Sequence, residues 1–256
     1  MPRISSRLRD FVRVAGPDAE DFLQRLLSND VAAGEACDAL LLTPKARVIA
    51  PVRVWRRGAA DFLLLTEPGL GETVRTRLLR ARFAAKVEIE PEEHAAWVVL
   101  GEADGIPSSD YGVGAAEVLD AEPAGEPVAD DELERLRIEA RTPVWGRELD
   151  ERVLPAEAGL VGRAVSLTKG CFPGQEPIAR LHYRGHANRA LRVLEIEGEE
   201  PPAYDAELLL GEKAVGRVTS AVRANGAVVA LGYVRAEVPA DAELAVEGRR
   251  ARVRPD

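Results

Sequence analysis

The chain has 256 residues, 46% of them hydrophobic, and carries 43 Asp plus Glu against 34 Lys plus Arg for a formal net charge of −9. That length can bury a substantial core as one large domain or a few small ones, and the acidic balance argues against a nucleic-acid-binding surface as the dominant property. No apolar run approaches the roughly 18 residues of a membrane span. The start from Met1 to Arg7 lacks the apolar stretch of a signal peptide, so a cytoplasmic location without a direct nucleic-acid or membrane partner is expected.

Gly16-Pro17-Asp18 opens a predicted helix whose Phe22, Leu23, Leu26 and Leu27 share one face, the period of an amphipathic element packed on a sheet. Leu40 to Leu42 and Val48 to Trp55 read as strands, with Arg56 to Ala60 as the turn into a strand from Asp61 to Thr66. A helix is predicted across Gly71 to Ala84, then strands at Lys86 to Ile89 and Trp97 to Leu100. From Gly101 to Asp130 the composition shifts to glycine, proline and acids, which reads as loops or a linker. Asp130 to Ala140 has helical periodicity, with Leu133, Leu136 and Ile138 inward. Beyond residue 188, the segments Leu191 to Ile196, Glu207 to Leu210, Lys213 to Val222, Ala227 to Leu231, Ala242 to Val246 and Arg249 to Arg254 follow the rhythm of a small all-β barrel.

Reactive chemistry and special backbone residues coincide in Lys169-Gly170-Cys171-Phe172-Pro173-Gly174-Gln175-Glu176. The two glycines and the proline force a tight turn, and Pro177 to Tyr183 has the composition of a short helix with proline in its first turn. Cys171 is thereby displayed ahead of a helix start and close to Lys169, surroundings that make a thiol reactive. A free cysteine used as a small buried hydrophobe would suit an apolar strand or helix face better. The chain holds only four lysines, Lys45, Lys86, Lys169 and Lys213, and otherwise uses arginine. A lysine inside this loop points to a compact ammonium able to shift its pKa.

Cys37 and Cys171 are the only cysteines. They are too few for a disulfide framework or a four-thiolate site, and a reducing compartment is expected. His182 and His186 have i, i+4 spacing, but Gly185 between them ends a helix and no further ligand has fitting spacing, so no metal site is expected. His94 lies among acids and reads as a surface residue.

The octapeptide, followed by Arg180, Arg184-Gly185 and Arg189-Ala190-Leu191, resembles the signature of the YgfZ-type folate-binding family. That family is related to the glycine cleavage T protein, an aminomethyltransferase, and is associated with tRNA modification and iron–sulfur protein maintenance. The likeness extends to Arg137-Ile138-Glu139, Pro143 with Gly146, Pro155 with Glu157-Ala158-Gly159-Leu160, Gly16 with Asp18, Phe22-Leu23-Gln24 and Asn29-Asp30-Val31. Phe172 stands where tyrosine is usual.

The resemblance implies a T-protein-like α+β fold of two intertwined α+β subdomains around a central cavity over residues 1–187, with a loop or linker near 101–130 and a C-terminal β-barrel over 188–256. It implies tetrahydrofolate as cofactor, iron–sulfur enzymes as partners, and Cys171 and Lys169 as catalytic residues. The pterin ring presents amino and ring N–H donors and needs a facing carboxylate, for which Glu139 and Glu157 are candidates. Gln175, Glu176 and Arg180 complete the expected cofactor-binding set. In the aminomethyltransferases a pair of aspartates assists methylene transfer from the strand matching Arg47 to Trp55. Here Ala50 and Pro51 stand at those positions and Ala46 replaces a glycine before them, so transfer by that route is disfavoured.

Three functions follow from these residues. One is a folate-dependent accessory protein that acts on other proteins' iron–sulfur clusters. Another is a true one-carbon transferase, and a third is a folate-binding structural module.

Overall fold

The computed structural model describes residues 1–224 and 226–255. In chain order its elements are β1 (Arg3–Arg7), β2 (Asp10–Ala15), α1 (Ala19–Leu26), β3 (Ala36–Leu42), β4 (Val48–Gly58), β5 (Asp61–Thr66), α2 (Gly71–Ala81), β6 (Glu88–Glu92) and β7 (Ala96–Leu100). Then come β8 (Ile106–Ser108), β9 (Ala115–Leu119), β10 (Glu126–Pro127), α3 (Asp130–Glu139), α4 (Val161–Ala164) and α5 (Gln175–Arg184). The last strands are β11 (Arg189–Ile196), β12 (Glu207–Leu210), β13 (Lys213–Ala224), β14 (Ala227–Arg235), β15 (Glu243–Val246) and β16 (Arg249–Val253).

Two five-stranded sheets, ordered β10-β1-β7-β9-β8 and β3-β4-β5-β2-β6, carry the first part of the chain, and β11 to β16 close into a barrel. The chain begins in the first sheet with β1, builds the whole second sheet with β2 to β6, and returns to the first with β7 to β10. This is the intertwining that the family resemblance implies.

The continuous apolar run of β5 makes physical sense at the centre of its sheet, where successive side chains point to opposite faces. Phe62 and Leu64 join the core under α1 and α2 with Phe22, Leu23, Val74 and Leu78. Leu63 and Leu65 join Phe11, Ala96 and Ile106 on the other face, between the sheets. No helix is long and apolar enough to cross a membrane among the described residues.

The stretch 101–130 is more than a linker, because it contributes three strands of the first sheet. Pro107 in β8 and Pro127 in β10 conceal them in the sequence, yet both lie on edge strands, where a missing N–H disturbs no internal ladder. β1 and β2 escaped the sequence reading as well, since Arg3, Arg7 and Arg13 interrupt their apolar pattern. His94 is also less exposed than its acidic neighbours suggest. Its ring is clasped at 2.7 Å by Asp120 and 2.8 Å by Glu92, and it meets Phe11 edge-on.

Alternation along the barrel strands serves two cores at once. Leu194, Ile196, Val228 and Ala230 fill the barrel interior. Leu191, Val193, Val229, Leu231 and Tyr233 face outward and pack with Leu40, Leu42, Val48, Ile138, Leu149, Phe172 and Ile178. At this seam the carboxylate of Glu148, 1% exposed, accepts from Ser220 Oγ at 2.5 Å, Val144 N at 3.1 Å and Arg137 Nη1 at 3.3 Å. The Glu148 carbonyl accepts from Tyr233 Oη at 2.8 Å. Removing this carboxylate leaves the buried Ser220 hydroxyl and Val144 N–H without their acceptor, while Arg137 keeps Glu134 at 2.7 Å. Glu148→Ala is expected to lower unfolding stability by about 1–3 kcal/mol in urea melts, and a loss under about 0.5 kcal/mol would show that the barrel is held by apolar packing alone.

Candidate functional site

The octapeptide is fastened to the segment between α1 and β3. Ser28 Oγ donates to Ala164 O at 2.6 Å and accepts from Leu40 N at 2.8 Å, while Ser166 N donates to Ser28 O at 3.0 Å. Lys169 Nζ then donates to Leu27 O at 2.6 Å and Asn29 O at 2.8 Å, and lies 5.3 Å from the centre of the Phe172 ring. Burial pulls the Lys169 amine down to about 8, against the opposing pull of Asp30 and Cys37. Burial, helped by Asp38, pushes the Cys37 thiol up to about 11, while Lys169 acts to lower it. Cys37 therefore shares the electrostatic field of Lys169, a relation absent from the sequence. Cys171 is exposed.

Three residues past Cys171, Gly174 closes the loop with a φ of +85° and caps the start of α5. A Cβ there would come within 2.8 Å of Thr43 O and 2.9 Å of Ala46 Cα, so only glycine fits. Ala46 itself holds a left-handed φ of +58°, which accounts physically for the glycine expected at its position. Pro177 lies in the first turn of α5, and Gly185 follows its last residue.

The five expected cofactor-binding residues fall in three places. Gln175, Glu176 and Arg180 border an open pocket of about 360 Å³ with Pro44, Phe172 and Pro177. Glu139 is engaged by Arg135 at 2.5 Å and Arg254 at 3.0 Å. Glu157 accepts from Leu154 N at 3.1 Å and from Arg189 at 3.2 Å. None of the five lines the central cavity.

That cavity has walls from Leu40, Pro51, Val52, Leu65, Leu149 and Leu160, and its polar lining is a charge network that the sequence reading missed. Arg53 bridges Asp38 at 2.9 Å, Asp110 at 3.1 Å and Glu117 at 2.5 Å. Arg9 pairs with Glu117 at 2.5 Å and lies 3.4 Å from Glu67, and Arg7 lies 3.7 Å from both Glu67 and Asp110. Arg163 holds Asp38 at 3.1 Å, Asp110 at 2.5 Å and Thr142 Oγ1 at 3.1 Å. Burial opposes the charge on Asp110, yet Arg53, Arg7, Arg163 and Arg9 hold its carboxyl well below the usual range. Glu117 is likewise lowered, with burial overcome by Arg9 and Arg53. Its signal in the sequence is limited to isolated arginines in apolar strands, such as Arg53 within Val52-Arg53-Val54.

No protein-family model matches the chain. A tRNA-modifying protein YgfZ from Edwardsiella ictaluri is 29% identical, aligned over 96% of this chain and 88% of the relative. An aminomethyltransferase from Corynebacterium jeikeium is 24% identical over 94% of this chain and 80% of its own length. The chain is thus similar to YgfZ-type proteins and to aminomethyltransferases over nearly its whole length. Its fold matches the crystal structure of glycine cleavage system aminomethyltransferase T from Bartonella henselae with a TM-score of 0.81 at 20% identity, covering 98% of this chain and 84% of that one.

The ligand that this similarity implies is a reduced folate. The lining suits a reduced folate in kind, with carboxylates for the pterin donor edge, apolar walls for ring faces and arginines for an anionic tail. The room does not suffice as it stands. The cavity measures about 50 Å³, whereas small-molecule pockets run roughly 300–1,000 Å³. Side chains at its mouth must move before a folate enters.

Two expectations follow from these electrostatics. Carboxylates held below their ordinary range contribute stability above about pH 4 and lose it as pH falls further. Wild-type stability in urea melts should therefore decline from about pH 4 downward, and Asp110→Asn should flatten that decline. Equal wild-type stability at both ends of this range would contradict the network's role. In competitive acetylation across pH, Lys169 should titrate near 8, and half-titration at the ordinary lysine value of about 10.4 would remove the reason for a lysine here.

Proposed function

We propose that this chain is a folate-binding accessory protein supporting the assembly or repair of iron–sulfur enzymes, with a reduced folate in the central cavity and Cys171 as its outward-facing thiol. Pro51 carries this reading. It lines the central cavity beside Arg53, on the strand where the resemblance would place a catalytic acid, and it can neither orient an amine nor move a proton. Ala50 is fully buried in the core under α1 and α2 and supplies nothing in its stead. The carboxylates that do face the cavity, Asp38, Glu67 and Asp110, are engaged by guanidiniums.

Carriage of a one-carbon unit is the chemistry that a bound reduced folate would supply. Asp38, Asp110 and Thr142 would bind its donor edge, Leu40, Leu65 and Leu160 would exclude water from the ring, and Arg7 at the mouth would face the tail. Lys169 positions the loop through its bonds to Leu27 O and Asn29 O, and its half-buried amine can hold or release a proton near neutral pH. Two cysteines cannot hold a four-cysteine cluster, so a thiol on the surface would work on the clusters of client proteins in the cytoplasm.

Calorimetry with tetrahydrofolate, run beside an assay for methylene transfer from an aminomethyl-lipoyl carrier protein, separates this from the transferase alternative. Binding without transfer is expected. Turnover comparable to a glycine cleavage aminomethyltransferase would overturn the accessory reading. Client enzyme activity in cells carrying Cys171→Ser tests the thiol, and undiminished activity would leave Cys171 without a role.

A further inference from the structure

The cavity poses a chemical puzzle, since its acids are matched to a donor edge yet already satisfied. Asp38 and Asp110 both face the guanidiniums of Arg53 and Arg163, and Asp110 also has Arg7 at 3.7 Å and Arg9 at 3.6 Å. The two arginines differ in how they are held. Arg53 rises from β4 with its side chain 4% exposed, whereas Arg163 comes from the short α4 with 28% exposed. Among the four arginines of the network Arg163 is the most exposed, Arg7 standing at 15% and Arg9 at 6%.

The group that Arg163 places between these acids is a planar array of N–H donors. It spends Nε on Asp38 at 3.1 Å, Nη2 on Asp110 and Nη1 on Thr142 Oγ1 at 3.1 Å. The N3–H and 2-amino edge of a pterin is a planar array of the same kind, a guanidine unit built into a ring. We propose that Arg163 is an internal stand-in for that ligand edge, so that Asp38, Asp110 and Thr142 form the donor-edge subsite and a pterin binds by displacing the Arg163 guanidinium. This rests on the assignment of the central cavity to a reduced folate and goes beyond it in naming the side chain that occupies the donor-edge subsite and must leave.

Displacement is electrostatically reasonable because Arg53 stays behind. With Arg163 swung out, Asp38 and Asp110 retain Arg53 as counter-charge at 2.9 and 3.1 Å, leaving open acceptor positions and no isolated buried charge. Movement of the Arg163 side chain also adds to the room of the 50 Å³ cavity. The wild-type affinity is then reduced by the fraction of molecules in which Arg163 holds the site.

Calorimetry with tetrahydrofolate on the wild type, Arg163→Ala and Arg163→Met tests this, with and without millimolar guanidinium chloride. Both variants should bind at least about tenfold more tightly than wild type. Guanidinium should compete with the folate in the variants and raise their thermal midpoints, while leaving the wild type unaffected. Arg163→Met keeps the aliphatic stem and carries the comparison should Arg163→Ala fail to fold. Wild-type binding that equals or exceeds that of the variants, or guanidinium competing equally in all three, would overturn the displacement and leave the folate assignment standing. Absence of binding in all three proteins would overturn the folate assignment and the displacement with it.

Discussion

The guanidinium of Arg53 is the point on which the two sheets depend. It projects from β4 of one sheet, meets Asp38 on β3 of the same sheet, and reaches Glu117 on β9 of the other and Asp110 in the loop after β8. Apolar packing through Phe11, Leu63, Leu65 and Ile106 brings the sheets together, but it has no direction. The ion pairs supply direction, because a buried charge displaced from its partner faces a desolvation cost that shifted apolar contacts do not. With Arg9 and Arg163 on further corners, the cavity is shaped by charge geometry while its walls stay apolar.

That division explains what the sequence discloses. Period-two alternation is visible wherever a strand has apolar cores to serve, and the barrel strands were legible within a few residues of their ends. β5 was found as an apolar run because both of its faces are buried. β1 and β2 were hidden by arginines whose partners lie far along the chain, and no local pattern reports that Arg9 will meet Glu117. Proline hid β8 and β10, since the rule that excludes it from strands relaxes at an edge.

The candidate site divides in the same way. Gly174 and the start of α5 could be read from turn chemistry, which is local. The pairing of Lys169 with the carbonyls of Leu27 and Asn29, and its field over Cys37, required the fold. So did the charge network, whose members are scattered from Arg7 to Arg163. Glu139 and Glu157, which the motif likeness singled out, are occupied with Arg254 and Arg189 away from the cavity. A motif reports which residues matter to a family without saying which surface they face.

The passage of the chain between sheets also dictates an order of assembly. β2 to β6 are contiguous in sequence, and their sheet can close once residue 92 is available. β1 finds its neighbours only after Leu100 and Pro127 have been made, with Arg3 opposite Leu100 and Ile4 opposite Pro127. During synthesis from the N-terminus the first strand must wait, unpaired, beside a sheet to which it does not belong. The polar residues that disguise β1, Arg3, Ser5, Ser6 and Arg7, keep it soluble and slow to pair wrongly in that interval.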